Sequence, residues 1–127
     1  MLRNNKLYNL PKGDKQMPCF KRFYKRERLI KKTLEIDENL YLELERLSKE
    51  VYDASITQLV NAAIEKLIKT ENLVVYKKNP STSYVKRSFL IRESYLNRLY
   101  ELKEEYDTPI RLLVNMSIRN ALIEERA

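Results

Sequence analysis

A six-residue pattern that occurs twice constrains this chain more than any other feature. Residues 31–36 read Lys-Lys-Thr-Leu-Glu-Ile, and residues 86–91, 55 positions later, read Lys-Arg-Ser-Phe-Leu-Ile. Successive side chains of a strand point to opposite sides, and this alternation gives each copy one side with two apolar residues. The covered face is predicted to consist of Leu34, Ile36, Phe89 and Ile91. One isolated strand of this length leaves its backbone groups unpaired and its apolar side uncovered, so we predict that the two copies pair.

Two amphipathic helical patterns follow each strand pattern. After Asp37, a predicted N-cap, the first helix is predicted to run to about Glu50. Apolar side chains recur at i, i+4, i+7 and i+11 in the first helix of both units, which predicts one buried stripe in each. These residues are Leu40, Leu44, Leu47 and Val51 in one unit and Tyr95, Leu99, Leu102 and Tyr106 in the other.

The second helix of each unit has a sequence signal at its start. Ser55, followed three residues later by Gln58, is a capping-box pattern. In the other unit Thr108 is the predicted N-cap, with Pro109 at the first helical position. The second helices match at an offset of 54, so the break before the last helix is predicted to be one residue shorter.

The doubled pattern predicts the organisation of the whole chain. Residues 1–28 form an arm without a sustained period, and residues 70–84 form a linker that contains the turn-forming run Asn79-Pro80-Ser81. The two units are residues 29–69 and 85–127. The predicted fold class is mostly α with a two-stranded antiparallel β-ribbon, in which the tandem units form a pseudo-dimer within one chain.

The formal charge of +7 is concentrated at the N-terminus. Residues 1–32 contain 11 Lys and Arg against 2 Asp and Glu, whereas residues 33–127 contain 14 against 16. Such an arm is typical of proteins that bind a polyanion, and nucleic acid is favoured over membrane because the arm has no clean apolar face. A solvated, disordered tail is the alternative.

Basic and aromatic residues are interleaved near the end of this arm. Among Phe20, Phe23 and Tyr24 lie the basic residues Lys21, Arg22, Lys25, Arg26 and Arg28. This combination can contact phosphate and also pack on sugars or bases. Alternatively, the aromatic side chains dock on the folded units while the charges stay in water.

The residue types present argue against several classes of site. The chain has no histidine, and Cys19 is its single cysteine, so zinc sites, Ser-His-Asp triads and intrachain disulfides are not expected. No metal, cofactor or catalytic residue is predicted. No apolar run is long enough for a signal peptide or a membrane span. We therefore expect a non-enzymatic, soluble, cytoplasmic protein.

A strand followed by two helices, within about 40 residues and in two copies, resembles the ribbon-helix-helix family of DNA-binding proteins, which includes the Arc and methionine repressors. In that family two chains pair their strands, the resulting ribbon enters the major groove, and the helices interlock beneath it. The resemblance covers roughly residues 30–69 and 85–125. Two units in one chain are similar to the tandem ribbon-helix-helix proteins of conjugative and T-DNA transfer.

The resemblance implies that the outward side chains of the strands read bases. These are Lys31, Thr33, Glu35, Lys86, Ser88 and Leu90. A lysine can donate to guanine, a hydroxyl can donate or accept, and a leucine can meet a thymine methyl. Glu35 is expected either to accept from cytosine N4 or to pair with a neighbouring lysine. An ordinary solvated sheet face is the alternative for these positions.

The resemblance also implies that the start of each second helix points at a phosphate, which free N–H groups and the helix dipole favour. The implied phosphate contacts are Lys32, Ser55, Ile56, Thr57, Arg87, Ile110 and Arg111. Pro109 lacks an N–H group, and Arg111 is expected to compensate with a charged contact. Helix capping without any ligand is the alternative.

The resulting hypothesis is a sequence-specific double-stranded DNA-binding protein, acting as a transcriptional regulator or relaxosome accessory factor of a plasmid or other mobile element. Because the two strands differ, the expected site is asymmetric. Further copies side by side on repeated sites are expected to add specificity. Relaxase or other transfer proteins are the expected protein partners. The alternative is a protein-interaction module, an antitoxin or transfer-complex adaptor, for which DNA is secondary.

Overall fold

The computed structural model describes residues 27–126 of the 127-residue chain. It contains two consecutive strand–helix–helix units: β1 (Leu29–Asp37), α1 (Glu38–Arg46) and α2 (Ile56–Thr70), then β2 (Tyr84–Arg92), α3 (Glu93–Tyr106) and α4 (Ile110–Arg126). The predicted fold class is confirmed, since the molecule is mostly helical with one two-stranded antiparallel sheet. Over the described residues, no helix is both long enough and apolar enough to cross a membrane.

β1 and β2 pair along their whole length as a ribbon with Thr33 opposite Ser88 at its centre. Each strand has nine residues, three more than the sequence pattern predicts, because flanking residues such as Leu29 and Arg92 continue the ladder. The apolar side of the ribbon is buried as predicted at Leu34, Ile36, Phe89 and Ile91.

A pseudo-twofold axis relates the two units and passes between Thr33 and Ser88. The register pairs residues so that strand positions 55 apart take equivalent places on the two sides of this axis. Lys31 lies opposite Leu90, and the equivalent Lys86 lies opposite Glu35. The two units are therefore arranged as the intrachain pseudo-dimer that the sequence predicts.

The two units share one hydrophobic core beneath the ribbon. Each second helix contacts the strand of the other unit: α2 lies against β2, and α4 lies against β1. α2 and α4 also pack on each other, and their facing apolar side chains include the buried Val60, Ile64, Leu113 and Ile118. Full burial of a side chain of this size contributes roughly 1.5–3 kcal/mol. Because each strand is covered partly by the other unit, the interlocked pair is the folding unit.

The predicted stripes of the two first helices are correct except at their last positions, and their first members, Leu40 and Tyr95, pack partly buried against the core. The buried positions are Leu44, Leu47, Leu99 and Leu102. Val51 and Tyr106 are 52% and 46% exposed, because the helix has carried these last positions beyond the edge of the core. Leu96 is buried although the predicted stripe omitted it, and its neighbour Tyr95 lies half-buried against the core.

The first helices end in different ways. α1 continues into a wider, π-type turn over Leu47–Val51, which the N–H of Tyr52 closes by bonding to the Leu47 carbonyl at 2.9 Å. α3 ends at Asp107, which adopts the left-handed conformation with φ 50°. The connections are residues 52–55 and 107–109, so the predicted one-residue difference between the two breaks is confirmed.

The predicted start of the last helix is wrong by one residue. α4 begins at Ile110, and the N–H of Leu113 bonds to the carbonyl of Pro109, which therefore occupies the N-cap position. The hydroxyl of Thr108 instead donates to the Tyr106 carbonyl at 2.9 Å. Thr108 lies one residue before the N-cap position, which corresponds to Ala54 in the other unit, so it does not cap the helix.

The connection between α2 and β2 runs along the surface. Its turn is held by the side-chain oxygen of Asn79, which accepts from both the N–H and the hydroxyl of Ser81. Leu73 and Tyr76 pack against the core. Val75 is 73% exposed and takes no part in that cover.

Candidate nucleic-acid interface

The outer face of the ribbon is turned away from the helices and exposed to solvent. At its centre the hydroxyl oxygens of Thr33 and Ser88 lie 2.8 Å apart and share a hydrogen bond. Lys31 and Lys86 are exposed at equivalent positions on either side of this pair. The fold thus brings all six side chains predicted to read bases onto one face.

Glu35 pairs with an arginine and not with a lysine. Its carboxylate accepts a hydrogen bond from Arg111 Nη1 at 3.1 Å, although Lys86 lies opposite it across the ribbon. The Arg111 guanidinium also lies 4.8 Å from the centre of the Tyr84 ring. Both charged partners remain nearly half exposed, so the ion pair adds little stability and can exchange for other charges.

Lys32 and Arg87, two of the predicted phosphate contacts, lie on the covered side of the ribbon, two positions before the buried Leu34 and Phe89. Lys32 Nζ donates to the Tyr100 hydroxyl at 3.2 Å. The Arg87 guanidinium lies 5.1 Å from the centre of the Tyr41 ring. Each tyrosine belongs to the first helix of the other unit, so the helices hold these two cations beside the ribbon.

The starts of α2 and α4 present unused backbone N–H groups. The predicted capping box is present: the Ser55 N–H donates to Gln58 Oε1 at 2.8 Å, and the Gln58 N–H donates to Ser55 Oγ at 3.1 Å. The N–H of Ser55 is therefore used, but its Oγ only accepts in the capping box, so its hydroxyl can still donate and its role as a phosphate contact stays a prediction. In the first turns of these helices, the N–H groups that have no hydrogen-bond acceptor within residues 27–126 are those of Ile56, Thr57, Ile110, Arg111 and Leu112.

Both helix starts lie beside the ribbon. The groove on one side is lined by α2 and the ribbon, including Thr57, Asn61, Leu29 and Leu90. The groove on the other side is lined by α4 and the ribbon, including Ile110, Arg111, Thr33 and Glu35. The helix ends predicted to bind phosphate therefore flank the face predicted to read bases.

Charge is distributed unevenly between the ribbon and the helices. The helix cation Arg98 is neutralised by Glu71 at 2.7 Å and by Glu101 at 2.9 Å. By contrast, four ribbon cations have no carboxylate within 4.0 Å among the described residues: Lys31, Lys32, Lys86 and Arg87. Two of them, Lys31 and Lys86, are exposed on the outer face, where unpaired cations raise the local positive potential and attract phosphate.

The predicted arm lies mostly outside the described residues, which begin at Glu27. Its basic positions Lys21, Arg22, Lys25 and Arg26 lie there, and their role stays a prediction. Arg28 belongs to the folded part, since its carbonyl accepts from the Glu93 N–H at 2.9 Å.

Glu27 has a structural role that the sequence did not reveal. Its carboxylate accepts from the Ser94 N–H at 2.6 Å, near the start of α3, and lies 3.4 Å from the Arg92 guanidinium. Hydrogen bonds from Ser94, with a smaller effect of Arg92, lower the pKa of Glu27 below its ordinary value. In the other unit Asp37 performs this capping itself, by accepting from the Asn39 N–H at 3.0 Å. Arg92 stands at the position that corresponds to Asp37 and cannot cap a helix. It was therefore the sequence signal that another residue must cap α3.

Comparisons with known proteins leave the family of this chain open. No family model matches the sequence, and neither the curated proteins nor the solved structures include a detectable relative. The architecture, with two strand–helix–helix units around one antiparallel ribbon, is consistent with a tandem ribbon-helix-helix arrangement. Any function must therefore be argued from the ribbon itself.

Proposed function

We propose that this chain is a sequence-specific double-stranded DNA-binding protein of the ribbon-helix-helix type, which inserts its ribbon into the major groove. The observation that carries the proposal is the outer face of the ribbon. There, the bonded Thr33 and Ser88 hydroxyls are flanked by two equivalently placed lysines, Lys31 and Lys86, that have no carboxylate partner within residues 27–126.

The shape and chemistry of this face suit a major groove. The groove admits a two-stranded ribbon, and its base edges carry both acceptors and donors. Lys31 and Lys86 can donate to guanine O6 and N7, and the central hydroxyls can donate or accept. None of these side chains is needed to fill the core, since all four are exposed.

The flanking helix starts supply a second set of contacts to the duplex backbone. The unused N–H groups of Ile56, Thr57 and Ile110 lie at helix N-termini, where the helix dipole favours an anion. Arg111 can exchange Glu35 for a phosphate, because that ion pair is nearly half exposed. Such contacts fix position and orientation, while the ribbon side chains select sequence.

A titration of the full chain on a random double-stranded DNA library, at several salt concentrations, tests the proposal. We expect a selected consensus and an affinity that falls steeply as salt rises, because each phosphate contact releases counterions. Binding without sequence preference, or binding that salt does not weaken, would contradict the proposal.

Alanine variants connect this binding to the ribbon. The combined substitution of Lys31, Thr33, Lys86 and Ser88 by Ala should abolish sequence preference while the melting temperature changes little. The matched control, Lys49→Ala with Lys103→Ala, removes the same charge from exposed helix positions and should retain the consensus. If both variants lose preference equally, net charge and not the ribbon governs binding.

The process served is either transcriptional regulation or relaxosome assembly on a plasmid or other mobile element. A ribbon covers only a few base pairs, so adjacent copies on repeated sites would raise specificity. Footprinting on DNA around the encoding gene distinguishes the two roles. Protection of its own promoter supports a repressor, whereas protection beside a transfer origin supports a relaxosome role with relaxase or another transfer protein as partner.

A further inference from the structure

The pseudo-twofold axis makes it possible to compare the two ends of the ribbon position by position. Strand residues correspond at an offset of 55 and second-helix residues at an offset of 54. Lys31 and Lys86 correspond, so the lysines are symmetric. By contrast, the corresponding positions differ in chemistry at Glu35 and Leu90, at Tyr84 and Leu29, and at Arg111 and Thr57, as they do at Asp37 and Arg92.

One end of the ribbon is charged. We call Glu35, Tyr84 and Arg111 the charged corner. Here Arg111 bridges the other two members, lying 3.1 Å from the Glu35 carboxylate and 4.8 Å from the centre of the Tyr84 ring. Lys86 lies opposite Glu35 and lines the same groove. A hydrogen-bond acceptor and cations therefore meet at this corner.

The other end is apolar at the same places. We call Leu29, Leu90 and Thr57 the apolar corner, and all three line one groove. Leu29 and Leu90 are 52% and 47% exposed, whereas most leucines of the core are buried. Arg92 lines this groove too, but Glu27 holds its guanidinium at 3.4 Å. The corner thus offers methyl groups where the charged corner offers an ion pair.

From this difference we infer that the two corners fix the orientation of the protein on an asymmetric DNA site, an inference that rests on the proposed function. Leu90 meets a thymine methyl in one half-site. At the corresponding place in the other half-site, Glu35 accepts from cytosine N4. The two lysines donate to guanines placed symmetrically in both halves.

Reversing the protein on such a site would exchange the two corners. Glu35 would then face a thymine methyl and O4, which offer its carboxylate no donor from the base, and Leu90 would cover a cytosine amino group without accepting from it. A palindrome made by doubling either half-site contains one of these two mismatches at one corner. The preferred site therefore contains one half of each kind.

Selection from a random double-stranded library, followed by titration of three designed duplexes, tests the inference. The duplexes are the selected site and the two palindromes made by doubling either of its halves. We expect the full chain to bind the selected site about tenfold tighter than either palindrome, as for one mismatched base pair.

A symmetrising variant gives the sharper test. Leu90→Glu with Thr57→Arg recreates the Glu35 and Arg111 pair at the apolar corner and should make the palindrome of two cytosine-bearing halves the preferred site. Glu35→Leu with Arg111→Thr should do the opposite and favour two thymine-bearing halves. Leu42→Glu introduces the same residue at an α1 leucine that is 53% exposed, and it should leave the consensus unchanged.

The possible results separate failure of the orientation inference from failure of the proposed function. If the unaltered chain selects no consensus, the proposed function fails and the orientation inference with it. If it selects a palindrome, DNA binding stands and the orientation inference is wrong. If either symmetrised variant folds, as judged by its melting curve, and still prefers the original asymmetric site, the corners do not set orientation.

Discussion

Asn61 and Asn115 hold the two outer edges of the ribbon with the same pair of hydrogen bonds. Asn115 donates to the Glu35 carbonyl at 2.9 Å and accepts from the Asp37 N–H at 2.8 Å. Asn61 donates to the Leu90 carbonyl at 2.9 Å and accepts from the Arg92 N–H at 3.2 Å. A two-stranded ribbon has two unpaired edges, and each amide satisfies one N–H and one carbonyl on one of them. Each asparagine also reaches the strand of the other unit, which interlocks the halves.

The two asparagines are predicted to differ in their importance for stability. Asn115 is buried to 1% exposure, so Asn115→Ala leaves the Glu35 carbonyl and the Asp37 N–H without partners inside the protein. We expect a loss of about 2–4 kcal/mol in the free energy of unfolding. Asn61 is only half-buried, so water can replace the amide in Asn61→Ala, and we expect a loss of about 1 kcal/mol.

Denaturant unfolding of both variants measures this difference. Asn97→Ala, the same substitution at an exposed position of α3, is the control and should leave stability nearly unchanged. Equal effects of Asn61→Ala and Asn115→Ala would show that burial of the edge is not what makes these amides important.

Arg111 is predicted to contribute one phosphate contact if the ribbon binds DNA. Arg111→Ala should weaken binding to all sequences by a similar factor and reduce the slope of log affinity against log salt by about 1. Its effect on stability should be below about 1 kcal/mol, because the ion pair with Glu35 is nearly half exposed. Arg119→Ala, which removes a cation that lies 5.1 Å from the Tyr76 ring, is the control. An unchanged salt slope in Arg111→Ala would remove this residue from the interface.

The features that periodicity encodes could be predicted from the sequence. Alternation in residues 31–36 and 86–91 is enough to place the buried faces of both strands, because strand geometry fixes which side chains share a face. Helical spacing likewise predicted the centres of the stripes. It failed at Val51 and Tyr106, since a period does not show where a helix leaves the core.

Features that depend on the other unit could not be predicted. Glu27 caps α3 and Asn115 holds β1 only after the two halves have folded together, and neither contact has a local sequence signal. The partner of Glu35 was open for the same reason, because Arg111 is 76 positions away. Which distant residues come into contact depends on the strand register and on how the helices cross. The sequence pattern alone predicts neither.

The left-handed residue at the end of α3 provides a stability prediction. Asp107 has φ 50°, a conformation that favours glycine, and its carboxylate lies at the negative end of the helix dipole. Asp107→Gly should therefore raise the free energy of unfolding by about 0.5–1 kcal/mol. Thermal unfolding measures this gain. Asp107→Ala removes the charge without relieving the backbone, so an equal gain from that variant would assign the effect to electrostatics alone.

Tyr95 is predicted to make stability fall in alkaline solution. Burial, with a hydrogen bond from its hydroxyl to Glu65 at 2.8 Å, raises the pKa of Tyr95 from 10.0 to about 12. Since folding favours the neutral phenol, this contribution is fully present below pH 10 and is lost as the pH rises from 10 toward 12.

The pH dependence of unfolding in Tyr95→Phe isolates this contribution. The variant keeps the buried ring but cannot ionise, so its free energy of unfolding should fall less steeply than that of the unaltered chain across this range. Parallel curves for Tyr95→Phe and the unaltered chain would contradict the assignment.

The basic arm is predicted to strengthen DNA binding without selecting sequence, and the fold dictates where it can be removed. Residues 1–26 carry eight Lys and Arg and one Asp, so their deletion should reduce affinity and flatten the salt slope while the consensus is retained. A cut after residue 28 would also remove Glu27, which caps α3, and would confuse binding with folding. If deletion of residues 1–26 leaves DNA affinity intact but abolishes capture of a transfer protein or toxin, the arm serves a protein partner, as the interaction-module alternative predicts.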